Sequence, residues 1–447
     1  MTGTDSTILE LDDIQSGALY ERPSPYVGTY LLLRIDDRAA GRELVRRLHA
    51  VAESQRASAD PAHDTSITVA FTYGGLQALG VQQTSLDSFG PEFRAGMAAR
   101  AAELGDVGDS SPENWEKPLG TADVHVAVAV LSPDAARHDL AVEQGSRAQQ
   151  ELSGIELVWR QDCYQLPTGR TSFGFKDGIG QPAVEGSGRP SSNPREQPLK
   201  AGEIILGYAD ESGELPPMPT PEVLVATAPT SSSGSCTRGW RRTGSTWPHA
   251  QPAAPTRRAS ARRWSGAGRA APRSRSRRPT MTPSSATTRT ATTTSVTATT
   301  PRGFKCPVGA HARRANPRDA FDGDGSVDVR LHRMIRRGTS YGPMLPEGVL
   351  EDDGVGRGIM FVFAGAHLKR QFEFVKTQWL NDGIFIGTPL ERDPLVGPND
   401  GSGVFTVPER PIRRRLNELP PFVITRGGEY CFVPGLRAMR WLADLES

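Results

Sequence analysis

Apolar and polar positions follow a repeating order along the first part of the chain. Tyr30-Leu-Leu-Leu-Arg-Ile35 is a short unbroken apolar run of the kind a buried strand shows, and Asp36-Asp37 behind it supplies helix-capping oxygens. Leu44, Val45, Leu48 and Val51 then recur at helical spacing. A second strand is predicted over Ser66–Phe71, and a short helix over 73–80 closed by Gly80. Further helices are expected over 93–104 and 134–152. Strands are expected over 123–131, where Val and Ala alternate with other residues, and over Ile155–Tyr164. Two strand–helix–strand units with their helices on one face make an α+β lobe of ferredoxin-like type.

The same grammar returns late in the chain. A strand is predicted over 358–363, a helix over 366–380 carrying Phe372, Phe374, Val375 and Trp379, and a closing helix over 436–445. The stretches 421–425 and 429–433 read as a hairpin across Arg426-Gly-Gly428. The expected organisation is therefore two similar lobes, residues 1–196 and 197–447. A chain of 447 residues is too long for one ordinary core, which agrees with two.

Composition changes this picture in one place. The formal net charge is +1, yet 225–301 holds 13 Arg and no Lys, Asp or Glu, leaving 39 basic residues against 51 acidic ones elsewhere. The segment has no Leu, Ile, Phe or Tyr, so it cannot build a core. As a basic arm it would suit nucleic acid, but its arginines are not interleaved with aromatics, and no nucleic-acid partner is expected. A different origin fits better. Shifted by one base, codons for Val225-Ala-Thr-Ala-Pro through Gly244 permit GRDGTYVVFRKLHTRVAAYR, a turn, a strand and an amphipathic helix in order. The same shift over 290–300 permits an acidic, aromatic loop. The segment thus reads as a stretch translated out of frame, and a chain lacking this strand and helix is expected to fold poorly or to bind its cofactor incompletely.

Nothing else in the composition is unusual. No apolar run reaches the ~18 residues of a membrane span. The start, MTGTDSTILELDDIQ, lacks the basic and apolar regions of a signal peptide. Cys163, Cys236, Cys306 and Cys431 form no CxxC pair, as suits a reducing compartment, so a cytoplasmic protein without membrane contact is expected.

Three motifs carry candidate chemistry. Each is ordinary alone: Asp177-Gly178 is turn chemistry, His311 could be a hydrogen-bonded structural histidine, and Arg336 could be a surface arginine. Together, GFKDG at 174–178, CPVGAHARRANPRD at 306–319 and RMIRRGTSYG at 333–342 resemble the dye-decolorising peroxidase family. Supporting stretches are FTYGGLQALG at 71–80, RQFEFV at 370–375 and RGGEYCFVPG at 426–435. The resemblance runs from about residue 10 to the C-terminus, broken only by 225–301.

This resemblance implies two ferredoxin-like α+β lobes of the dimeric α+β barrel type, with one heme b held in the C-terminal lobe. His311 matches the family's axial ligand to the heme iron, and Asn316 and Arg318 match residues that hold heme propionates. Asp177 matches the distal aspartate that would shuttle a peroxide proton. Arg336 matches the distal arginine that would meet charge on the departing oxygen, with Arg337 as its alternative one residue on. A carboxylate behind His311 is expected, and Glu391 and Asp393 are the candidates. The implied function is a heme peroxidase that takes hydrogen peroxide and an organic electron donor such as a dye or phenol. A heme-binding or heme-iron-handling protein on the same fold, or an impaired gene product, is the alternative. A homo-oligomer is left open. Trp379, Tyr341 and Tyr430 are conceivable electron relays, though core packing accounts for each more simply.

Overall fold

The computed structural model describes residues 9–19, 21–56, 65–174, 180–189, 196–225, 238–239, 303–304, 306–317, 329–346 and 353–445. Asp177, Arg318 and almost all of 225–301 lie outside these residues.

The first lobe is a four-stranded antiparallel sheet built on β1 (Val27–Ile35), β2 (Ser66–Phe71), β3 (Val126–Ser132) and β4 (Ile155–Tyr164). Their order is β2-β3-β1-β4, so the first strand in sequence lies inside the sheet. Its unbroken apolar run follows from this place, since both faces of β1 are covered. Leu31, Leu33 and Ile35 share a core with Leu44, Val45 and Leu48 of α1 (Arg38–Arg56). The aspartate pair acts as expected: Asp37 Oδ1 accepts the Ala40 N–H at 2.8 Å and starts α1. α2 (Tyr73–Leu79) is capped by Thr72 and stopped by Gly80 at φ 86°.

Two boundaries differ from the periodicity. β3 begins at Val126 rather than residue 123, because the His125 ring, through Nδ1, takes the Ile35 N–H at 2.9 Å in place of a ladder carbonyl. The helix expected over 93–104 is α3 (Pro91–Ala99), broken inside by Gly96 at φ 76° and ψ 161°. α4 (Ala135–Gln150) completes the lobe.

In the second lobe a short helix, α5 (His311–Arg314), precedes an antiparallel pair, β5 (Ile335–Tyr341) and β6 (Gly358–Ala364). The helix predicted after β6 is present, but it is wound as a π-helix over Leu368–Glu373 and Val375–Leu380. A hairpin of β7 (Gly403–Val407) and β8 (Arg414–Leu419) follows, which the sequence pattern had not drawn attention to. α6 (Leu436–Ala443) closes the chain.

The hairpin expected across Arg426-Gly-Gly428 does not form. Ile424–Thr425 pairs instead with Arg238–Gly239, and Phe432 bridges to Phe71 of the first lobe. Packing explains the change: Glu116 donates its N–H to the Arg426 carbonyl at 2.7 Å, and the Gly427 backbone lies against Leu119, where a Cβ would meet Cδ1 at 2.4 Å. This contact turns 429–433 away from 421–425 and toward β2.

The two sheets thereby face each other across one interior. Phe71 and Phe432 exchange backbone hydrogen bonds of 2.8 and 2.7 Å on one side. On the other, the Tyr30 hydroxyl lies 3.0 Å from Thr339 Oγ1, and Ser340 donates its N–H to Tyr26 Oη at 2.8 Å. Two ion pairs on buried carboxylates tie the π-wound helix to the first lobe: Arg100 Nη2 donates to Glu373 Oε2 at 2.6 Å, and Lys376 Nζ to Asp106 Oδ2 at 2.5 Å.

Candidate functional site

His311 opens α5, just after Ala310 in extended conformation has turned the chain into the helix. Its Nδ1 lies 2.9 Å from Oδ2 of Asp393, a fully buried side chain. The other carboxylate oxygen, Oδ1, accepts the N–H groups of Leu395 at 2.9 Å and Val396 at 3.0 Å. Burial by itself would raise the Asp393 carboxyl. The His311 ring, the nearby Arg314 guanidinium and the backbone donor at Val396 outweigh it and hold the group below the usual carboxylate range. An ionised Asp393 accepts the proton on Nδ1 and fixes the ring's orientation, so that Nε2 is the nitrogen left for another partner. The His311 side chain is 32% exposed, which leaves that nitrogen an open approach.

The structure thus separates the two carboxylates proposed from sequence. Asp393 holds the ring, whereas Glu391 contributes its main-chain oxygen to a different partner. That partner is Arg314, one helical turn from His311 and fully buried. Its guanidinium donates to the carbonyls of Gly309, Trp379, Asp382 and Glu391 at 3.0, 3.1, 2.9 and 3.0 Å. One side chain therefore clamps the His311 helix, the end of the π-wound helix and the loop that carries Asp393. Sequence reasoning assigned Arg314 no role. Its spacing of three from His311, which puts both on one helix face, was the available signal.

Arg336 and Arg337 are adjacent on β5, so their side chains point to opposite faces of the sheet. Arg337 turns into the interior between the lobes, where it is buried and donates to the Leu19 carbonyl at 3.2 Å. Burial lowers its pKa to about 10. Arg336 is half-buried on the other face, beside its cross-strand partner Phe363, which stacks on Phe372 of the π-wound helix at 4.2 Å. Its Nη2 donates to the Gly180 carbonyl at 3.2 Å, and its own N–H to Gln181 Oε1 at 3.0 Å. Arg333 Nη2 reaches the same Gly180 carbonyl at 3.4 Å. The loop that follows Asp177-Gly178 is thereby brought onto the arginine, although Asp177 itself is outside the described residues.

The base of β5 is fixed from behind. Arg370 of the π-wound helix pairs with Glu203 at 2.9 Å and Asp210 at 2.8 Å, and Gln371 Nε2 donates to the carbonyls of Glu203 at 2.7 Å and Arg333 at 2.8 Å. Burial raises the Glu203 carboxyl to about 7, against the pull of Arg370. Asn316, just after α5, is buried. Arg318 is outside the described residues. Trp379 and Tyr430 are core side chains, with the Tyr430 hydroxyl donating to Glu373 Oε1 at 2.9 Å, while Tyr341 is half-buried at the end of β5.

An imidazole backed by a buried carboxylate, with Nε2 approachable, has the chemistry of a residue that would hold iron through one nitrogen. On this test the residues fit a heme.

Comparison with known proteins points the same way. Residues 39–153 match the family model described as the DyP dimeric alpha+beta barrel domain. A dye-decolorizing peroxidase of Mycetinis scorodonius is 28% identical over 423 residues, covering 84% of this chain and 76% of that protein. A multifunctional dye peroxidase of an Amycolatopsis species is 32% identical over 154 residues, 31% of this chain and 33% of that one. Among solved structures, a dye-decolorizing peroxidase in complex with 2,6-dimethoxyphenol superposes with a TM-score of 0.73 at 21% identity, covering 98% of this chain and all of that one. Its likeness establishes the shared fold. The family model over 39–153, relatives similar over most of the chain, and the shared fold all support the dye-decolorising peroxidase family.

Proposed function

We propose that this protein is a heme peroxidase that uses hydrogen peroxide to oxidise dyes, phenols and other bulky donors. The observation that carries the reading is the His311–Asp393 pair at 2.9 Å, joined through the π-wound helix and β5 to an arginine held against the loop after Asp177. It agrees with what the relatives' names state of those proteins.

In this reading His311 would hold the iron of one heme b through Nε2, and Asp393 would orient the ring and strengthen its donation. Asn316 and Arg318 would hold the propionates. Bound heme supplies the iron at which the peroxide O–O bond is cleaved and from which oxidising equivalents pass to the donor. Asp177 would take the proton from one peroxide oxygen and return it to the other. Arg336, whose charge is permanent, would meet the negative charge that grows on the departing oxygen. The division of the chain near residues 196 and 197 places Asp177 in the first lobe and the other site residues in the second. A cytoplasmic location belongs to the same reading; among the described residues no helix is long and apolar enough to cross a membrane.

The test is reconstitution with hemin followed by assay with peroxide and a phenolic donor. His311→Ala is expected to abolish stable heme binding. Arg336→Ala is expected to keep heme and to lose about 100-fold or more in turnover. Turnover equal to wild type in Arg336→Ala would remove that residue from the chemistry.

A further inference from the structure

We propose that Arg314 is a positioning residue that presets the His311–Asp393 pair, so that the imidazole stands aimed before any cofactor arrives. His311 and Asp393 are 82 residues apart in the chain, yet they meet at 2.9 Å. One lies on α5, which is a single turn, and the other on a loop without regular structure. A helix of one turn does not hold itself in water, so neither segment fixes its own place. Something outside the pair must set the distance between them. The inference deepens the heme reading, on which only the second of its two readouts rests.

The guanidinium of Arg314 is placed to do this. Its Nε donates to the Gly309 carbonyl and its Nη2 to the Glu391 carbonyl, each at 3.0 Å. These two nitrogens form one edge of a rigid planar fork. Their acceptors lie two residues before His311 and two residues before Asp393. One edge thus sets the spacing of the two main chains that carry the pair. Nη1 donates to the Trp379 and Asp382 carbonyls at 3.1 and 2.9 Å, which anchors the fork to the end of the π-wound helix. The Asp393 backbone is then locked in turn: its N–H donates to the Leu380 carbonyl at 2.6 Å, and its carbonyl accepts Asn399 Nδ2 at 2.9 Å.

Packing around the fork leaves little slack. The Phe385 ring centroid lies 5.8 Å from Arg314 Cζ. A Cβ at Gly309 would meet Glu391 Oε2 at 3.2 Å, Phe405 Cε2 at 3.4 Å and Arg314 Nη2 at 3.7 Å. A close-packed interior transmits displacements of this size, so moving the fork moves both chains. Charge and position can be told apart by substitution. Lysine keeps a cation, but its donors radiate from one nitrogen and cannot span the Gly309 and Glu391 carbonyls as an edge does. If Arg314 acted through its charge alone, lysine would replace it.

Proton NMR of the full, heme-free chain with nitrogen-labelled histidine reads the pair directly. The His311 Nδ1 proton is assigned by its loss in His311→Ala. In wild type it is expected far downfield and in slow exchange with water, as a hydrogen bond to a buried carboxylate requires. Arg314→Lys is expected to speed that exchange by about tenfold or more, leaving the signals of His125 and His138 in the first lobe unchanged. Gly309→Ala, which crowds the contact between Glu391 and Arg314, is expected to speed it to a smaller degree. In the hemin-loaded protein, Arg314→Lys is expected to shift the iron reduction potential upward, as Asp393→Asn does, and the double variant to fall short of the sum. Wild-type exchange in Arg314→Lys overturns the proposal, as does wild-type exchange in Gly309→Ala should the lysine variant not fold. A wild-type Nδ1 proton that already exchanges freely, or potential shifts that add in full, overturns it as well. A wild-type chain that takes up no hemin would remove the heme reading, and the exchange rates would still decide the role of Arg314.

Discussion

Glu429 lies buried on the inner wall of the barrel, where the Gly120 N–H donates to its Oε1 across 2.6 Å. Burial raises its carboxyl from 4.5 to about 8, a shift that the single backbone hydrogen bond only partly offsets. A carboxyl raised in the folded state contributes stability that is complete below its unfolded value and is lost as pH rises toward the folded value. Its contribution should therefore fall between about pH 4.5 and pH 8. Glu429→Gln, which keeps an acceptor for Gly120, is expected to flatten the fall of Tm across that window; an unchanged slope would assign the pH dependence elsewhere. Arg314 offers a second residue-scale prediction. Arg314→Met would leave the carbonyls of Gly309, Trp379, Asp382 and Glu391 without their donor, and a loss of about 3–5 kcal/mol is expected by chemical denaturation. His311 stood out in the sequence through the resemblance of its motif, which left Arg336 or its neighbour Arg337 as the distal arginine. The choice between Glu391 and Asp393 was not legible there, since both are buried and only three-dimensional packing decides which one meets the imidazole.

At the scale of elements, strand alternation sends the two candidate arginines to opposite faces of one sheet. Arg336 and Arg337 are chemically identical neighbours, and only the pairing of β5 with β6 and the position of the first lobe show which one faces the barrel interior. The π-wound helix is the element on which the second lobe depends. It carries Glu373 and Lys376 into the first lobe's loops, Arg370 onto Glu203 and Asp210, and the Trp379 carbonyl onto Arg314. Glu373→Ala would strand Arg100 and remove the acceptor of the Tyr430 hydroxyl, so a destabilisation of about 3–5 kcal/mol is expected. Stability within about 1 kcal/mol of wild type would mean that water replaces the pair. The helix was visible from its apolar spacing, but its π winding was not. The failed 421–433 hairpin has a similar cause: local strand signals were correct, and their partners lay elsewhere in the chain.

At the scale of the whole molecule, a four-stranded sheet and the β5–β6 pair share one interior, and the α+β class was readable from the repeated strand–helix–strand pattern. The boundary between the anomalous segment and the rest was equally plain, because a stretch without Leu, Ile, Phe or Tyr cannot share a core. How the lobes meet was hidden, since it rests on contacts such as Phe71 with Phe432 and Tyr30 with Thr339, far apart in sequence. The proposed function would have His311 and Arg336 serve one heme at which peroxide is cleaved. Rapid mixing of hemin-loaded protein with hydrogen peroxide, followed in the visible spectrum, tests it most directly. Arg336→Ala is expected to slow the second-order reaction with peroxide by about 100-fold or more while the heme stays bound, and a conservative Arg337→Lys to leave the rate near wild type. Equal rates for Arg336→Ala and wild type, or a fall confined to Arg337→Lys, would contradict the account.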